Sequence, residues 1–324
     1  MKIIVLDGHT LNPGDNPWDD VARLGELVVH DRTPPEQVVQ RAAGAEIVLT
    51  NKTVLGADAI GALPALRFIA VLATGYNVVD VAAARRRGIP VSNVPEYGTS
   101  AVAQHTLALL LELCHRVGDH ARAVADGAWS RAPDFCFWLA PPVELGGRTI
   151  GIVGLGRIGR RVAALAHGFG MRVIANAMSR REPLDYPGFA WRSIPELFAE
   201  ADVVSLHCPL TGDNARFVDR TLLGRMKPGA LLLNTARGGL IDEPALAAAL
   251  AAGQLAGAAV DVLSSEPPHP DNPLLHAPNC VVTPHIAWAS LPARRTLMAA
   301  TAHNIAAFLA GNPINVVNGQ PGKY

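Results

Sequence analysis

Three side chains in the second half of the chain are of the types that acid–base chemistry uses. Arg237 stands in Asn234-Thr235-Ala236-Arg237-Gly238-Gly239, Glu266 in Asp261-Val262-Leu263-Ser264-Ser265-Glu266-Pro267, and His285 in Thr283-Pro284-His285-Ile286. A guanidinium stays charged at any working pH and grips oxyanions with a fork of donors. An imidazole exchanges protons near neutrality. Each residue follows an apolar run: Ala230–Leu233, Ala258–Val260 and Val281-Val282. All three therefore fall at the carboxyl ends of expected parallel strands, the edge where open α/β sheets bind ligands. One of them alone would mean little, because a loop arginine or glutamate is usually solvated and a loop histidine usually structural. Three complementary types at one sheet edge point to a reaction centre.

A second motif supplies that centre with a partner. Gly154-x-Gly156-Arg157-Ile158-Gly159 follows the apolar run Thr149–Val153 and opens a helical pattern, Val162, Leu165, Ala166, Phe169. A glycine turn between a buried strand and a helix suits a dinucleotide pyrophosphate. The first glycine permits the turn, the second lets backbone approach phosphate, and the third lets helix and strand pack closely. The helix N-terminus adds N–H donors and partial positive charge.

The elements that must position these residues alternate along the chain. Strand-like runs Ile3–Leu6, Leu27–Val29, Ile47–Thr50, Phe68–Leu72 and Pro90–Ser92 are separated by helical candidates Pro17–Leu24, Pro35–Ala43 and Val79–Arg87. A second series runs Thr149–Val153, Arg172–Ala175, Val203–Leu206, Ala230–Asn234, Ala258–Val260 and Val281–Thr283, with helices Ile158–Phe169 and Glu243–Ala252. Alternation of this kind means βαβ units. The expected fold is α/β, with two Rossmann-like doubly wound parallel-sheet domains. Residues 1–99 and 289–324 form one domain, made discontinuous by the terminal helix Ala293–Leu309, and residues 100–288 form the other. Between the two series, Thr99–Leu113 is apolar almost all round, which predicts a buried helix at a domain or subunit interface. The segment Asp126–Pro142 holds Trp129, Phe135, Phe137 and Trp138 among prolines. It reads as an extended arm within residues 115–145 that joins a homodimer; the alternative is a loop packed on its own domain.

Composition bounds the rest. Across 324 residues 49% are hydrophobic and 17% charged, and the formal net charge is zero. That describes a core-rich protein with no bulk attraction to nucleic acid or anionic lipid. No apolar run reaches membrane-spanning length, and the start Met1–Asp7 reads as a strand rather than a signal segment. Cys114, Cys136, Cys208 and Cys280 are far apart, which suits reduced thiols in a cytoplasmic protein and leaves no metal site.

In combination, GIVGLGRIGRRVA, HCPLT, MKPGALLLNTARGGLIDEPAL, GAAVDVLSSEP and VVTPHIA resemble the D-2-hydroxyacid dehydrogenase family, as do VLATGYNVVD and NVPEYGTSAVAQ nearer the start. The flavour is that of its hydroxypyruvate reductase (glycerate dehydrogenase) and glyoxylate reductase members. The resemblance implies two Rossmann-like domains with substrate in the cleft between them, a usual dimer, and reduction of a small 2-oxo acid to the D-2-hydroxy acid. Arg237 would hold the carboxylate and carbonyl oxygen. His285 would deliver the proton, and Glu266 would take the other imidazole N–H and favour the charged form. Thr74 and Gly75 would offer a second carboxylate cradle, with Asn51 at a comparable strand end. Asp261 and the backbone near Ala236 would meet the nicotinamide amide, and His207 and Pro209 the adenine side. Trp138, Trp288 and the Asn51–Val54 loop are candidates for the substrate's tail, and the two tryptophans can equally be interface anchors.

One departure bears on the cofactor. Many members of the family carry an aspartate where this chain has Ala177, at the end of the second Rossmann strand, to accept the ribose 2′-OH of NAD. Without that repelling charge, Ser179, Arg180 and Arg181 could hold the 2′-phosphate of NADP. NADP(H) preference is therefore expected, with NAD(H) possible; the alternative is a solvated basic turn in an enzyme that uses NAD through other contacts. A nucleotide-sensing corepressor-like protein and a family dehydrogenase acting on formate or phosphite are the rival functions.

Overall fold

The structure, a computed structural model, describes residues 1–179 and 182–319. Two compact units make up the chain, Met1–Gly98 with Ala289–Tyr324, and Thr99–Trp288.

In the first unit, strands β1 (Lys2–Val5), β2 (Glu26–Val29), β3 (Ile47–Thr50), β4 (Phe68–Val71) and β5 (Val91–Ser92) form a parallel sheet in the order β2-β1-β3-β4-β5. The two central apolar strands β3 and β4 are buried at every position. That is the pattern of a parallel sheet covered on both faces. The terminal helix Leu291–Leu309 returns to this unit, where Phe308 stacks on Phe68 and Arg294 forms a bidentate pair with Asp15 at 2.5 and 2.7 Å. Sheet order reverses between β1 and β3, and the Asp7 carboxylate there takes the backbone N–H groups of Asn51, Lys52 and Thr53 at 2.5–2.8 Å.

The second unit has seven parallel strands: β6 (Thr149–Val153), β7 (Arg172–Asn176), β8 (Ala190–Trp191), β9 (Val203–Leu206), β10 (Ala230–Asn234), β11 (Leu255–Val260) and β12 (Cys280–Val282). Their order is β12-β11-β10-β9-β6-β7-β8, so the reversal lies between β6 and β9. The helix Thr99–His115 buries one face, including Ala103, Leu107 and Leu110, within its own unit, while Ser100, Gln104, Ala108 and His115 are exposed. Ala103, Leu107 and Leu110 pack in one core cluster with Ile150, Val162 and Leu231. It lies beside the helix Arg157–Gly168 and on the strands β10 and β11 of the same unit.

Other elements also differ from the expected bounds. The runs near residues 17–24 and 35–43 hold only the four-residue helices Asp19–Ala22 and Val38–Arg41, the latter preceded by a 3-10 turn at Pro35–Gln37. The aromatic segment is preceded by a helix, Val117–Ala125, with no buried residue. Among the described residues no helix is long and apolar enough to cross a membrane.

Candidate active site

Strands β10, β11 and β12 are neighbours, and Arg237, Glu266 and His285 sit in the loops that leave them. His285 Nδ1 lies 2.6 Å from Glu266 Oε2. A carboxylate only accepts, so Nδ1–H donates and Nε2 is left for proton exchange. The His285 side chain is 26% exposed, enough for a small molecule to reach it. The other oxygen, Glu266 Oε1, accepts the Leu263 N–H at 3.1 Å.

His285 has φ +53°, the left-handed region that a β-carbon disfavours. Such a conformation persists only where its surroundings impose it. Here Asp261 imposes it. The His285 N–H donates to the Asp261 carbonyl at 2.8 Å. The Asp261 carboxylate accepts the Thr283 hydroxyl at 2.6 Å and the N–H groups of Ile286 and Ala287 at 2.9 and 2.8 Å. His105 Nε2 approaches it at 3.5 Å and Thr283 Oγ1 at 3.1 Å. Trp288 Nε1 closes the loop on the His285 carbonyl at 3.0 Å. Asp261 is 1% exposed. Burial pushes its carboxyl up, but the bonds from His105, Thr283 and the two backbone groups outweigh it and hold the carboxyl below its ordinary value. The sequence offers Asp261 as a nicotinamide contact; its Oδ1 takes the Thr283 hydroxyl and the Ile286 N–H, and its Oδ2 takes the Ala287 N–H alone among the described residues.

Arg237 is half-buried in extended backbone at the end of β10. Buried Asn234 shapes that turn, donating to the Arg237 carbonyl at 2.9 Å and accepting the Ala236 N–H at 3.0 Å. Arg237 Nη1 donates to the Ala236 carbonyl at 2.7 Å. The rest of its donor fork can take a planar anion.

The reversal between β6 and β9 is where a dinucleotide binds in such sheets. Gly154 has φ +98°, and a β-carbon there would lie 2.6 Å from both the His207 carbonyl carbon and the Cys208 nitrogen. A β-carbon on Gly159 would lie 2.1 Å from the Gly154 oxygen. Over Gly156 there is open space, directly before the helix Arg157–Gly168, whose first residues are Arg157 and Ile158. This surface fits a pyrophosphate lying on backbone N–H groups. His207 Nε2 pairs with Ser205 Oγ at 2.8 Å, whereas its buried Nδ1 has no partner among the described residues. Pro209 beside it is exposed. At the end of β7, Ala177 is half-buried and Met178 and Ser179 are exposed, so no carboxylate occupies positions 177–179. Arg180 and Arg181 lie outside the described residues.

In the first unit Asn51 is buried and its Nδ2 donates to the Leu72 carbonyl at 2.6 Å, a tie between two strand ends. Thr74 donates through Oγ1 to the Val94 carbonyl at 2.9 Å, and its own carbonyl accepts from Asn93 at 2.7 Å. Among the described residues nothing accepts the N–H groups of Thr74 and Gly75. Trp138 is exposed in the aromatic segment and Trp288 half-buried. Two contributors escaped the sequence reading, Asp261 as a brace and Asn234 as a turn former. Their signal lay only in being polar at the ends of apolar strands.

Residues 107–287 match the family model described as D-isomer specific 2-hydroxyacid dehydrogenase, NAD binding domain. The chain is 46% identical to a hydroxypyruvate reductase of Blautia hydrogenotrophica, over 98% of this chain and 100% of that protein. It is 40% identical to a glycerate dehydrogenase of Methylorubrum extorquens, over 98% of each. Among solved structures, an NADPH-dependent glyoxylate/hydroxypyruvate reductase from Sinorhizobium meliloti in complex with NADP and malonate aligns with a TM-score of 0.83 at 30% identity, covering 98% of this chain and 96% of that one.

Proposed function

Because the chain belongs to the D-isomer specific 2-hydroxyacid dehydrogenase family, a family of nicotinamide-dependent oxidoreductases, we propose that it reduces a short 2-oxo acid of the glyoxylate or hydroxypyruvate type to the D-2-hydroxy acid. The observation that carries the proposal is the 2.6 Å pair of His285 and Glu266 beside the strand end that bears Arg237. The reductase and dehydrogenase names of the relatives favour turnover over a purely sensing role, and reduction of 2-oxo acids over formate or phosphite chemistry.

The bound nicotinamide supplies the hydride. Gly154, Gly156, Arg157, Ile158 and Gly159 would hold its pyrophosphate, and His207, Pro209, Ala236 and Asp261 would line the same cofactor. Arg237 binds the substrate carboxylate and draws electron density toward the carbonyl oxygen. His285 Nε2–H gives its proton to that oxygen, the one proton that together with a hydride at C2 would balance the change from C=O to CH–OH. Glu266 steadies the ring by accepting its Nδ1–H, so that Nε2 is the atom that gives the proton in reduction and takes it in the reverse direction. In the first unit the free N–H groups of Thr74 and Gly75 suit a carboxylate, and Asn51 shapes the strand end nearby.

NADP(H) is the preferred cofactor in this proposal and NAD(H) a poorer one. The absence of a carboxylate at 177–179 and the NADP-bound structural relative support it, with Ser179, Arg180 and Arg181 as the phosphate contacts. The proposed enzyme is a cytoplasmic homodimer with no nucleic-acid or membrane partner.

Steady-state reduction of glyoxylate, hydroxypyruvate and longer 2-oxo acids with NADPH and with NADH tests all of this. Expected is a kcat/KM about tenfold or more in favour of NADPH, and a His285→Gln variant slower by about a thousandfold that still binds cofactor. A comparable bias toward NADH overturns the cofactor preference, and near-normal turnover by His285→Gln removes His285 from proton transfer.

A further inference from the structure

Glu243 opens the helix Glu243–Ala251, right after Asp242, which caps that helix by accepting the Ala245 N–H at 3.1 Å. A glutamate in a first helical turn normally lies in water, where it complements the helix dipole. This one is 7% exposed. Its carboxylate turns inward and accepts three hydrogen bonds: Ser264 N–H at 2.6 Å, Ser264 Oγ–H at 2.8 Å and Asn272 Nδ2–H at 2.9 Å. Ser264 and Asn272 stand at the two ends of the loop that carries Glu266. Asn272 in turn caps the 3-10 turn Pro273–Leu275 by accepting the Leu274 N–H at 3.0 Å.

The peptide between Leu263 and Ser264 is held from a second side. A β-carbon on Gly238 would lie 1.9 Å from the Leu263 carbonyl carbon and 2.4 Å from the Ser264 nitrogen. The backbone next to Arg237 is therefore pressed directly on that peptide. From the same stretch the Leu263 N–H donates to Glu266 Oε1, while Glu266 Oε2 holds His285.

We propose that Glu243 is a positioning residue for proton transfer: its buried carboxylate clamps the Leu263–Ser264 peptide and so keeps Glu266 on His285. This rests on the reading that the Glu266–His285 pair moves the proton. All three partners of Glu243 are donors, so an acceptor-only group is required. An amide of the same size would turn an NH2 toward a donor and leave one bond unmade.

The test uses the full chain as wild type, Glu243→Gln, Glu266→Gln and the double variant. In the enzyme without cofactor, the low-field Nδ1–H proton resonance of His285, assigned by its absence in His285→Gln, should shift or broaden in Glu243→Gln. With saturating NADPH and whichever 2-oxo acid the wild type reduces, kcat should fall about tenfold while the cofactor Kd stays within about twofold. The double variant should be no slower than Glu266→Gln alone, because residues acting through one another are not additive. Losses that multiply, or an unmoved resonance with kcat within about twofold of wild type, overturn the proposal. If Glu243→Gln does not fold, Ser264→Ala removes one of the three bonds and keeps the backbone contact. Its smaller loss of turnover should likewise vanish in the Glu266→Gln background, and persistence there overturns the role. A wild type that reduces no 2-oxo acid counts against the proposed function, whereas the resonance still decides for or against Glu243.

Discussion

His207 shows how far a single residue's chemistry follows from where the chain buries it. Desolvation pushes its imidazole down to about 3. It is therefore neutral at any working pH and cannot serve as a cation or an acid beside the glycine turn. From the sequence His207 reads as a cofactor-wall or strand-end residue rather than a catalyst. The sign of the stability effect follows directly. Between pH 6.5 and about 3 the unfolded chain takes up a proton at this residue and the folded chain does not, so stability falls as pH falls through that window. His207→Asn removes the group that titrates. Urea unfolding should show the wild type losing about 2–3 kcal/mol more than the variant between pH 7 and pH 4. Parallel pH profiles for the two proteins would mean that the ring is charged when folded.

At the scale of elements, the segment from Asp261 to Trp288 works as one device, with a buried carboxylate at one end and a left-handed histidine at the other. The Asp261 carboxyl is held below its unfolded value of 3.8. Its contribution is therefore complete above that pH and is lost as pH falls through the lower, folded value. Asp261→Asn puts an NH2 against backbone donors. It should cost about 2–3 kcal/mol at pH 7 and lower kcat through displacement of His285. The stability gap should shrink as pH falls from 3.8 toward the lower folded value, because the unfolded wild type takes up the proton first. Equal stability at pH 7 would show that the carboxylate is not what braces the loop. This device was only half legible in the sequence. Strands such as Ile47–Thr50, Thr149–Val153 and Ala230–Asn234 are unbroken apolar runs because both their faces are covered, so they and the residues at their ends could be read directly. Strand β11 begins three residues before the expected Ala258, because Ala256 and Gly257 carry no side chain large enough to signal a strand. The helix Ile194–Glu200 is marked in the sequence only by Ser193 and Glu196, whose side chains bond at 2.7 Å. Glu243 and Asp261 read as an ordinary first-turn glutamate and a strand-end aspartate. Their hydrogen-bond partners in the neighbouring loops lie 21 to 29 residues away, and His105, which approaches Asp261, is farther still; no local pattern encodes contacts of that range.

At the scale of the whole molecule, the exposed apolar side chains are unevenly distributed. Most are scattered singly, which is normal for any surface. Between residues 117 and 139, however, Val117, Val124, Trp129, Phe135, Trp138 and Leu139 are all exposed, Phe135 at 90% and Trp138 at 62%. The helix Val117–Ala125 within this stretch buries none of its residues. Helices of nine residues are marginal in water without packing on an apolar face. Large aromatic side chains grouped in this way are what an interface core consists of. With equal numbers of acidic and basic residues, 28 of each, the chain carries no net charge to oppose self-association. These features support a second copy of this chain as the cover for the segment, the homodimer of the proposed function. Size-exclusion chromatography with light scattering should then give a dimer at micromolar concentration. Phe135→Glu combined with Trp138→Glu should give a monomer that keeps its circular dichroism, because neither side chain belongs to a core cluster. In that monomer the helix Val117–Ala125 loses its cover, so its amide protons should exchange with solvent faster than in the dimer while those of Thr149–Val153 stay protected. A wild type that is already monomeric would instead mean that this stretch serves another surface.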